Sequence, residues 1–294
     1  MNGQRNLTAK IPGDAAGRRL DKVLASLFPP YSRSQLQNWL REGRMTMEGS
    51  IPSQRQIVRG GEQLHLLVPK EAPQEWQPQS LPLKVVYEDS EIVVIDKPAG
   101  LVVHPGAGNP DTTLANAILH HYPENRMLAR AGVVHRLDKG TTGVILFAKN
   151  GTAQTHLRNQ FMAREVKKSY GALVEGLPDP PRGESIFHVE ENPSRPGSMR
   201  FQSSGKECRS HYQLLEAFKD HSWVEIQPHT GRTHQVRLTM LKLGAPVCCD
   251  TLYGSGNPLL LSSFKRNYRL GRDGLEHPLL SRLGLHAQSI QFPP

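Results

Sequence analysis

Cysteine is scarce in this chain: three in 294 residues, Cys208 and the adjacent pair Cys248 and Cys249. An odd count without paired spacing excludes a disulfide framework and offers no zinc-site pattern, so the thiols are expected to be reduced. Long hydrophobic runs are missing too. No apolar stretch approaches the roughly 18 residues that a membrane-spanning helix needs, and Met1 to Lys10 carries no apolar core of a secretory leader. A soluble, cytoplasmic protein is the expectation. Thirteen histidines are present, but none stands in an H-E-x-x-H or comparable array, and the neighbours His120 and His121 would point in different directions on a helix. No metal and no cofactor are therefore expected. Internal repeats and low-complexity tracts, which would mark a solenoid, are also lacking.

Acidic residues are outnumbered, 27 against 36 lysines and arginines, for a net charge of +9 and a pI near 9.6. That balance favours a polyanionic partner through phosphate contacts and counterion release, although charge alone does not separate RNA from DNA or a membrane surface. The length allows one large domain of some 200 residues or more beside a small one.

Leu20, Val23, Leu24 and Leu27 recur at helical spacing before Pro29-Pro30 break the pattern. A second helix follows with Leu36, Trp39 and Leu40 on its apolar face, capped by Ser32 or Ser34, and Arg33, Arg41 and Arg44 lie on or just beyond it. Residues 45–68 read as short strands with turns at Glu48-Gly49 and Gly60-Gly61. The whole is a small α/β module with a basic helix, which can be a nucleic-acid surface or simply a solvated one. Residues 70–82 are rich in Pro, Gln and Glu and have the composition of a linker.

Beyond the linker, β-type runs are expected at 85–88, 92–95, 144–148, 169–175, 186–190, 211–216 and 222–227. Helices are expected near 154–162, from a cap at Asp111 or Thr112 through Leu114, Ile118 and Leu119, and from Arg232 to Leu243 before Gly244. Mixed α and β with short loops predicts an α+β domain.

His135-Arg136-Leu137-Asp138-Lys139-Gly140-Thr141-Thr142-Gly143 is the most informative segment. It places one carboxylate between two cations and runs directly into an apolar strand. A turn aspartate making local hydrogen bonds and a catalytic carboxylate both fit it. If the stretch is extended, Arg136 points to the same side as Asp138. Downstream lie Lys167-Lys168-Ser169-Tyr170 and Thr230-Gly231-Arg232-Thr233-His234-Gln235-Val236-Arg237.

These three blocks, in this order and rough spacing, resemble the RluA-type pseudouridine synthases over nearly the whole chain. Arg18-Arg19-Leu20-Asp21, Tyr31-Ser32-Arg33-Ser34 and Gly60-Gly61-Glu62 resemble an S4-like RNA-binding domain. The resemblance implies an S4-like domain over 17–69, a linker over 70–82, and a catalytic domain over 83–294 with a mixed, mainly antiparallel sheet and a central cleft. It further implies isomerisation of specific uridines in large-subunit ribosomal RNA, free or in an assembling subunit, by a monomer that needs no cofactor. Asp138 matches the family's catalytic aspartate. Arg237 matches the arginine that pairs with it, Arg136 the arginine that helps hold the flipped-out nucleotide, and Tyr170 the tyrosine that stacks on uracil.

Read without the family, a lone Tyr170 is more often an ordinary core tyrosine, and Arg237 is equally a surface arginine on an amphipathic helix. Lys97, His104, Arg158, Arg164, Lys167, Lys168, Arg232 and His234 are expected as scaffold or RNA contacts around the cleft. Asp250 with Leu252-Tyr253-Gly254 is expected to be a structural turn. The chain departs from the family's pattern at Gly140, usually acidic, at Thr239, usually histidine, and at Cys249, usually glycine. It also stops at Pro294, where members commonly continue through another short segment.

Overall fold

The computed structural model describes residues 5–28, 33–68, 76–106, 108–265, 267–270 and 274–293. The chain divides into two compact units, 1–75 and 76–294. No described helix is long and apolar enough to cross a membrane.

The first unit runs β1 (Arg5–Lys10), α1 (Leu20–Leu27), α2 (Arg33–Arg41), β2 (Met45–Met47) and β3 (Gln63–Val68). Its antiparallel sheet has the order β1-β3-β2. Leu20, Val23 and Leu24 from α1 and Leu36, Trp39 and Leu40 from α2 bury together against Met45, Leu64 and Leu66. The helical spacing read from the sequence therefore marks the packed faces. Glu48 and Gly49 adopt positive φ in the turn after β2, as do Gly60 and Gly61 before β3. Of the two expected caps, Ser32 lies outside the described residues and Ser34 falls inside α2, which begins at Arg33. Strand β1 was not anticipated, because Asn6, Thr8 and Lys10 leave only two apolar residues in the run.

The second unit contributes β4 (Val85–Glu88), β5 (Ile92–Lys97), α3 (Leu114–His121), β6 (Thr142–Ala148), α4 (Gly151–Ala163), β7 (Lys167–Glu175), β8 (Arg182–Glu191), β9 (Met199–Phe201), β10 (Lys206–Ala217), β11 (His221–Pro228), α5 (Gln235–Lys242) and β12 (Leu285–Gln291). Nine strands form one sheet in the order β4-β5-β6-β12-β7-β11-β10-β8-β9. Only the β12–β6 pair in it is parallel. The α+β class and the mixed, mainly antiparallel sheet agree with the sequence reading.

Strand β6 shows why an unbroken apolar run belongs here. Ile145 and Phe147 pack with Leu114 and Ile118 of α3, whereas Leu146 and Ala148 pack with Ala153 and Leu157 of α4. Alternation along the strand thus supplies two covered faces. Helix α3 starts one or two residues later than expected. Thr113 is its cap, and Asn116 Oδ1 accepts both the Thr113 N–H (3.0 Å) and its hydroxyl (2.6 Å).

Residues 76–82, read from composition as linker, belong to the second unit. Trp76 packs on Ala115, Leu119 and Ala131, the Gln77 carbonyl accepts Asn116 Nδ2, and the Gln79 N–H reaches the Asn116 carbonyl. One tryptophan and a row of backbone bonds fix a segment whose side chains are otherwise polar.

Strand β12 enters the middle of the sheet between β6 and β7. Gly143 makes room for it: at φ +108° its hydrogen faces Ala287, where an added Cβ would sit 2.1 Å from the carbonyl oxygen. We expect Gly143→Ala to cost about 3 to 5 kcal/mol, read as a lower urea midpoint of the full chain. A midpoint within error of the native one would show that β12 can move aside.

Candidate active site

The loop presenting Asp138 is held from below at alternate residues. Val133 bridges to Phe147 of β6. His135 Nε2 accepts the Leu146 N–H at 2.9 Å, and the ring stacks on Phe161 at 5.0 Å. Burial, and then the positive field of Lys168, push this imidazole down to about 3, so it stays a neutral acceptor. Leu137 inserts into the core formed by β5, β6 and α3. With His135 and Leu137 turned inward, Arg136 and Asp138 face outward together, as an extended stretch requires.

Lys97 secures the other side of this loop. It is 0% exposed, and its ammonium donates to the carbonyls of Pro98 (2.9 Å), Leu101 (2.9 Å) and Lys139 (3.2 Å). The Gly100 N–H joins it at the Lys139 carbonyl, and the Thr141 N–H closes a turn on the Asp138 carbonyl. Burial pushes the amine down to about 8, and the Asp138 charge acts in the opposite sense. Three acceptors need three N–H groups, which only the ammonium form has. The expectation of Lys97 as a group at the cleft is thus resolved in favour of scaffold.

Arg237 comes from α5, which begins at Gln235 rather than Arg232 because His234 takes a left-handed conformation (φ 57°). Arg237 is 7% exposed, so it is not a surface arginine. Its Nε and Nη2 donate to Asp250 at 2.7 and 2.6 Å, while Nη1 lies 3.7 Å from Asp138 Oδ2. The guanidinium makes a bidentate grip on Asp250 and only an ion-pair contact with Asp138. It also lies 4.9 Å from the Tyr253 ring centre. Asp250 further accepts the Leu252 and Tyr253 N–H groups. Burial works against its charge, but Arg237 and those two amides hold its carboxyl below the usual carboxylate range.

Two cavities, of about 480 and 780 Å³, meet at Arg136, Leu137, Asp138 and His234. Tyr170, Lys168, Arg164 and Arg232 line the first. Arg237, Gly140 and Cys249 line the second. Asp138 stands in the wall between them. Burial and then the Asp138 charge push the Tyr170 phenol well up, so it remains a hydrogen-bond donor rather than a base. A carboxylate accessible from both sides, an arginine shared behind it and a neutral phenol can support nucleophilic addition or proton abstraction.

The remaining expected residues separate. His104 is half-buried, lines the larger cavity and stacks with Trp76 at 6.0 Å. Arg232 Nε donates to the Glu207 carbonyl, and His234 Nδ1 lies 2.8 Å from the Tyr253 hydroxyl. Arg158 and Lys167 are exposed. Sequence reasoning missed His135 and Gln235. Gln235 ties the 228–236 turn together by accepting from the Thr230 hydroxyl and the Arg232 N–H and donating to the Arg209 carbonyl. A glutamine inside a T-G-R-T-H-Q block was the available signal. Among the described residues, Glu184, His211 and His229 alone approach one another as metal ligands could. All three are exposed, and Glu184 already faces Arg209 at 3.5 Å.

Residues 91–242 match a family model described as RNA pseudouridylate synthase. The chain is 42% identical to ribosomal large subunit pseudouridine synthase D of Xanthomonas campestris pv. campestris, over 97% of this chain and 84% of that protein. Identity to the protein of the same name from Pseudomonas aeruginosa is 44%, over 86% of this chain and 79% of that one. Among solved structures, human RNA pseudouridylate synthase domain containing 1 superposes with a TM-score of 0.54 at 26% identity, covering 73% of this chain and 80% of that chain.

The Arg237–Asp250 pair carries a pH signature. A carboxyl depressed in the folded state contributes stability above its unfolded pKa and loses it as pH falls through the folded value. We expect Asp250→Asn to cost about 3 to 5 kcal/mol at pH 7, with the gap to the native protein narrowing below the ordinary carboxylate range. Urea titrations at pH 7 and pH 3.5 measure this; an equal gap at both would remove the charge from the explanation.

Proposed function

The chain belongs to the RNA pseudouridylate synthase family, and from that premise we propose that it isomerises uridines of large-subunit ribosomal RNA with Asp138 as the catalytic carboxylate. The reaction breaks the bond from ribose C1′ to uracil N1, turns the freed base and joins C5 to C1′. C5 loses a proton, the freed N1 gains one, and no oxidant or reductant is consumed. A carboxylate suits either route to cleavage, adding as a nucleophile or removing a ribose proton to begin elimination.

The observation that carries this reading is the position of Asp138 in the wall between two cavities, beside Arg136 and facing Tyr170. A uridine must leave its stack to reach such a carboxylate, at a cost of a few kcal/mol. Arg136, exposed on the same side as Asp138, holds the flipped-out arrangement in this account. Tyr170 stacks on the uracil and donates a hydrogen bond. Arg237 neutralises the carboxylate from behind, and Asp250 keeps that guanidinium in place.

The first unit serves as the S4-like RNA-binding module, raising the effective concentration of RNA at the cleft. Its basic helix supports this, with Arg41 exposed at the helix end and Arg44 partly exposed three residues beyond it. The substrate is free ribosomal RNA or an assembling large subunit, met by a monomer in the cytoplasm.

Large-subunit RNA transcribed with C5-tritiated uridine tests the chemistry. Under single-turnover conditions the native protein releases tritium, and Asp138→Ala is slowed by at least about 10³-fold while still binding the RNA. Turnover by that variant at the native rate would remove Asp138 from the mechanism. For the first unit, reversing Arg41 and Arg44 to glutamate weakens RNA binding about ten- to hundredfold and leaves the rate at saturating protein unchanged. Native affinity in a filter-binding titration would reject a role for α2.

A further inference from the structure

Lys168 precedes Tyr170 by two residues on β7, so both side chains share one face of the strand, and both line the smaller cavity. The other interior cations of the site have partners. Lys97 has three carbonyls, Arg237 has Asp250, and Arg232 Nε has the Glu207 carbonyl. Lys168 Nζ makes no hydrogen bond or ion pair among the described residues. Burial lowers its pKa, and no carboxylate offsets that effect.

The charges around it are mainly of one sign. Arg136, Arg164 and Arg232 line the same cavity, in which Asp138 is the lone carboxylate, and Asp138 already faces Arg237. The field of Lys168 reaches His135 and His229, lowering the pKa of both. Gly231 leaves the space above the ammonium free of a side chain: a Cβ there would find Lys168 Nζ as its only neighbour, at 3.9 Å. An unpaired, half-buried ammonium costs the folded protein free energy, and a group with a formal negative charge offsets that cost better than a neutral carbonyl.

We propose that Lys168 holds a backbone phosphodiester of the RNA beside the flipped uridine, as a positioning residue that fixes the ribose over Asp138. This rests on the RNA-isomerase reading and adds an assigned phosphate contact to it. A phosphate fits because it alone in RNA brings a formal negative charge, which Lys168 lacks as a partner in the cavity. Its oxygens accept from any of the three ammonium N–H groups without demanding one orientation. The contact also explains why an uncompensated charge is kept where a methionine of similar length would sit more comfortably.

The test uses the full chain with Lys168→Met and Lys168→Arg and a large-subunit ribosomal RNA transcript. Binding is titrated across ionic strengths, and urea midpoints are taken without RNA. Lys168→Met should weaken binding about tenfold and reduce the slope of log K against log salt by about 0.7 to 0.9, the value of one phosphate contact. Lys168→Arg should restore the slope, and the methionine variant should be at least as stable as the native protein. An unchanged slope overturns the proposal, as does a lowered midpoint with native affinity, which would make Lys168 part of the scaffold. Tritium release by the native protein is measured alongside. If it is absent, the isomerase reading fails, while the salt slope still reports separately whether Lys168 meets a phosphate.

Discussion

A single buried ammonium organises the loop that carries the site. Lys97 ends β5, and its three bonds reach the turn that follows it and the residue just after Asp138. Two loops distant in sequence thereby become one rigid object. An apolar side chain of the same volume would avoid the desolvation cost but would take a donor from the Pro98 and Leu101 carbonyls and leave that of Lys139 with the Gly100 N–H alone. The interaction serves orientation more than net stability: holding the Lys139 carbonyl anchors the chain one residue beyond Asp138 and so restrains the backbone that carries its side chain. His135 and Leu137 supply the matching restraint from the sheet side. Asp138 is therefore set by its neighbours on both sides, with its own carboxylate free for use.

The same economy governs the charges. Arg237 faces two carboxylates but grips one. Asp250 takes the bidentate bond and two backbone amides, leaving Asp138 at 3.7 Å from the remaining nitrogen. A guanidinium with a single partner would swing toward it and lock it. Anchored from behind, Arg237 presents a fixed positive charge to Asp138 whose position does not depend on that carboxylate. Tyr253 adds its ring to the guanidinium face and takes the Met199 N–H on its hydroxyl, so β9 is tied to the same centre.

Much of the fold was legible because burial follows periodicity. The apolar faces of α1 and α2, the two-sided run of β6 and the strands β7, β8, β10 and β11 all carry patterns that burial confirms. Strand β12 was not legible: Leu-His-Ala-Gln-Ser-Ile-Gln breaks alternation at a register shift between Ala287 and Ser289, yet the segment lies at the centre of the sheet. The strap at 76–82 was misread since backbone bonds leave no trace in composition. In the site, three sequence blocks lead to one place. What they could not reveal was which cations are interior: Lys97 and Lys168 look alike in sequence, and only three-dimensional packing gives one a set of carbonyls and leaves the other facing a cavity.

The departures from the family's pattern follow from the same packing. Thr239 is fully buried, and its hydroxyl donates to the Gln235 carbonyl and meets Ser210 at 3.2 Å, so the position where a histidine is usual remains a polar link between α5 and β10. At Gly140 an added Cβ would lie 3.2 Å from that of Leu283. The hydrophobic residue therefore closes over a place where a longer acidic side chain would need room, and the loop gains apolar cover in exchange for a charge. Cys249 is the costly one. It sits at φ 59°, where glycine is at ease and a side chain is strained by about 1 kcal/mol or more. Its thiol points at the Leu280 carbonyl, 3.4 Å away, a weak bond that recovers little of that strain. The strain is carried one residue before Asp250, whose bidentate bond and two amides over-determine the turn. A backbone held that firmly tolerates an unfavourable residue beside it, and the geometry that Arg237 needs survives the substitution.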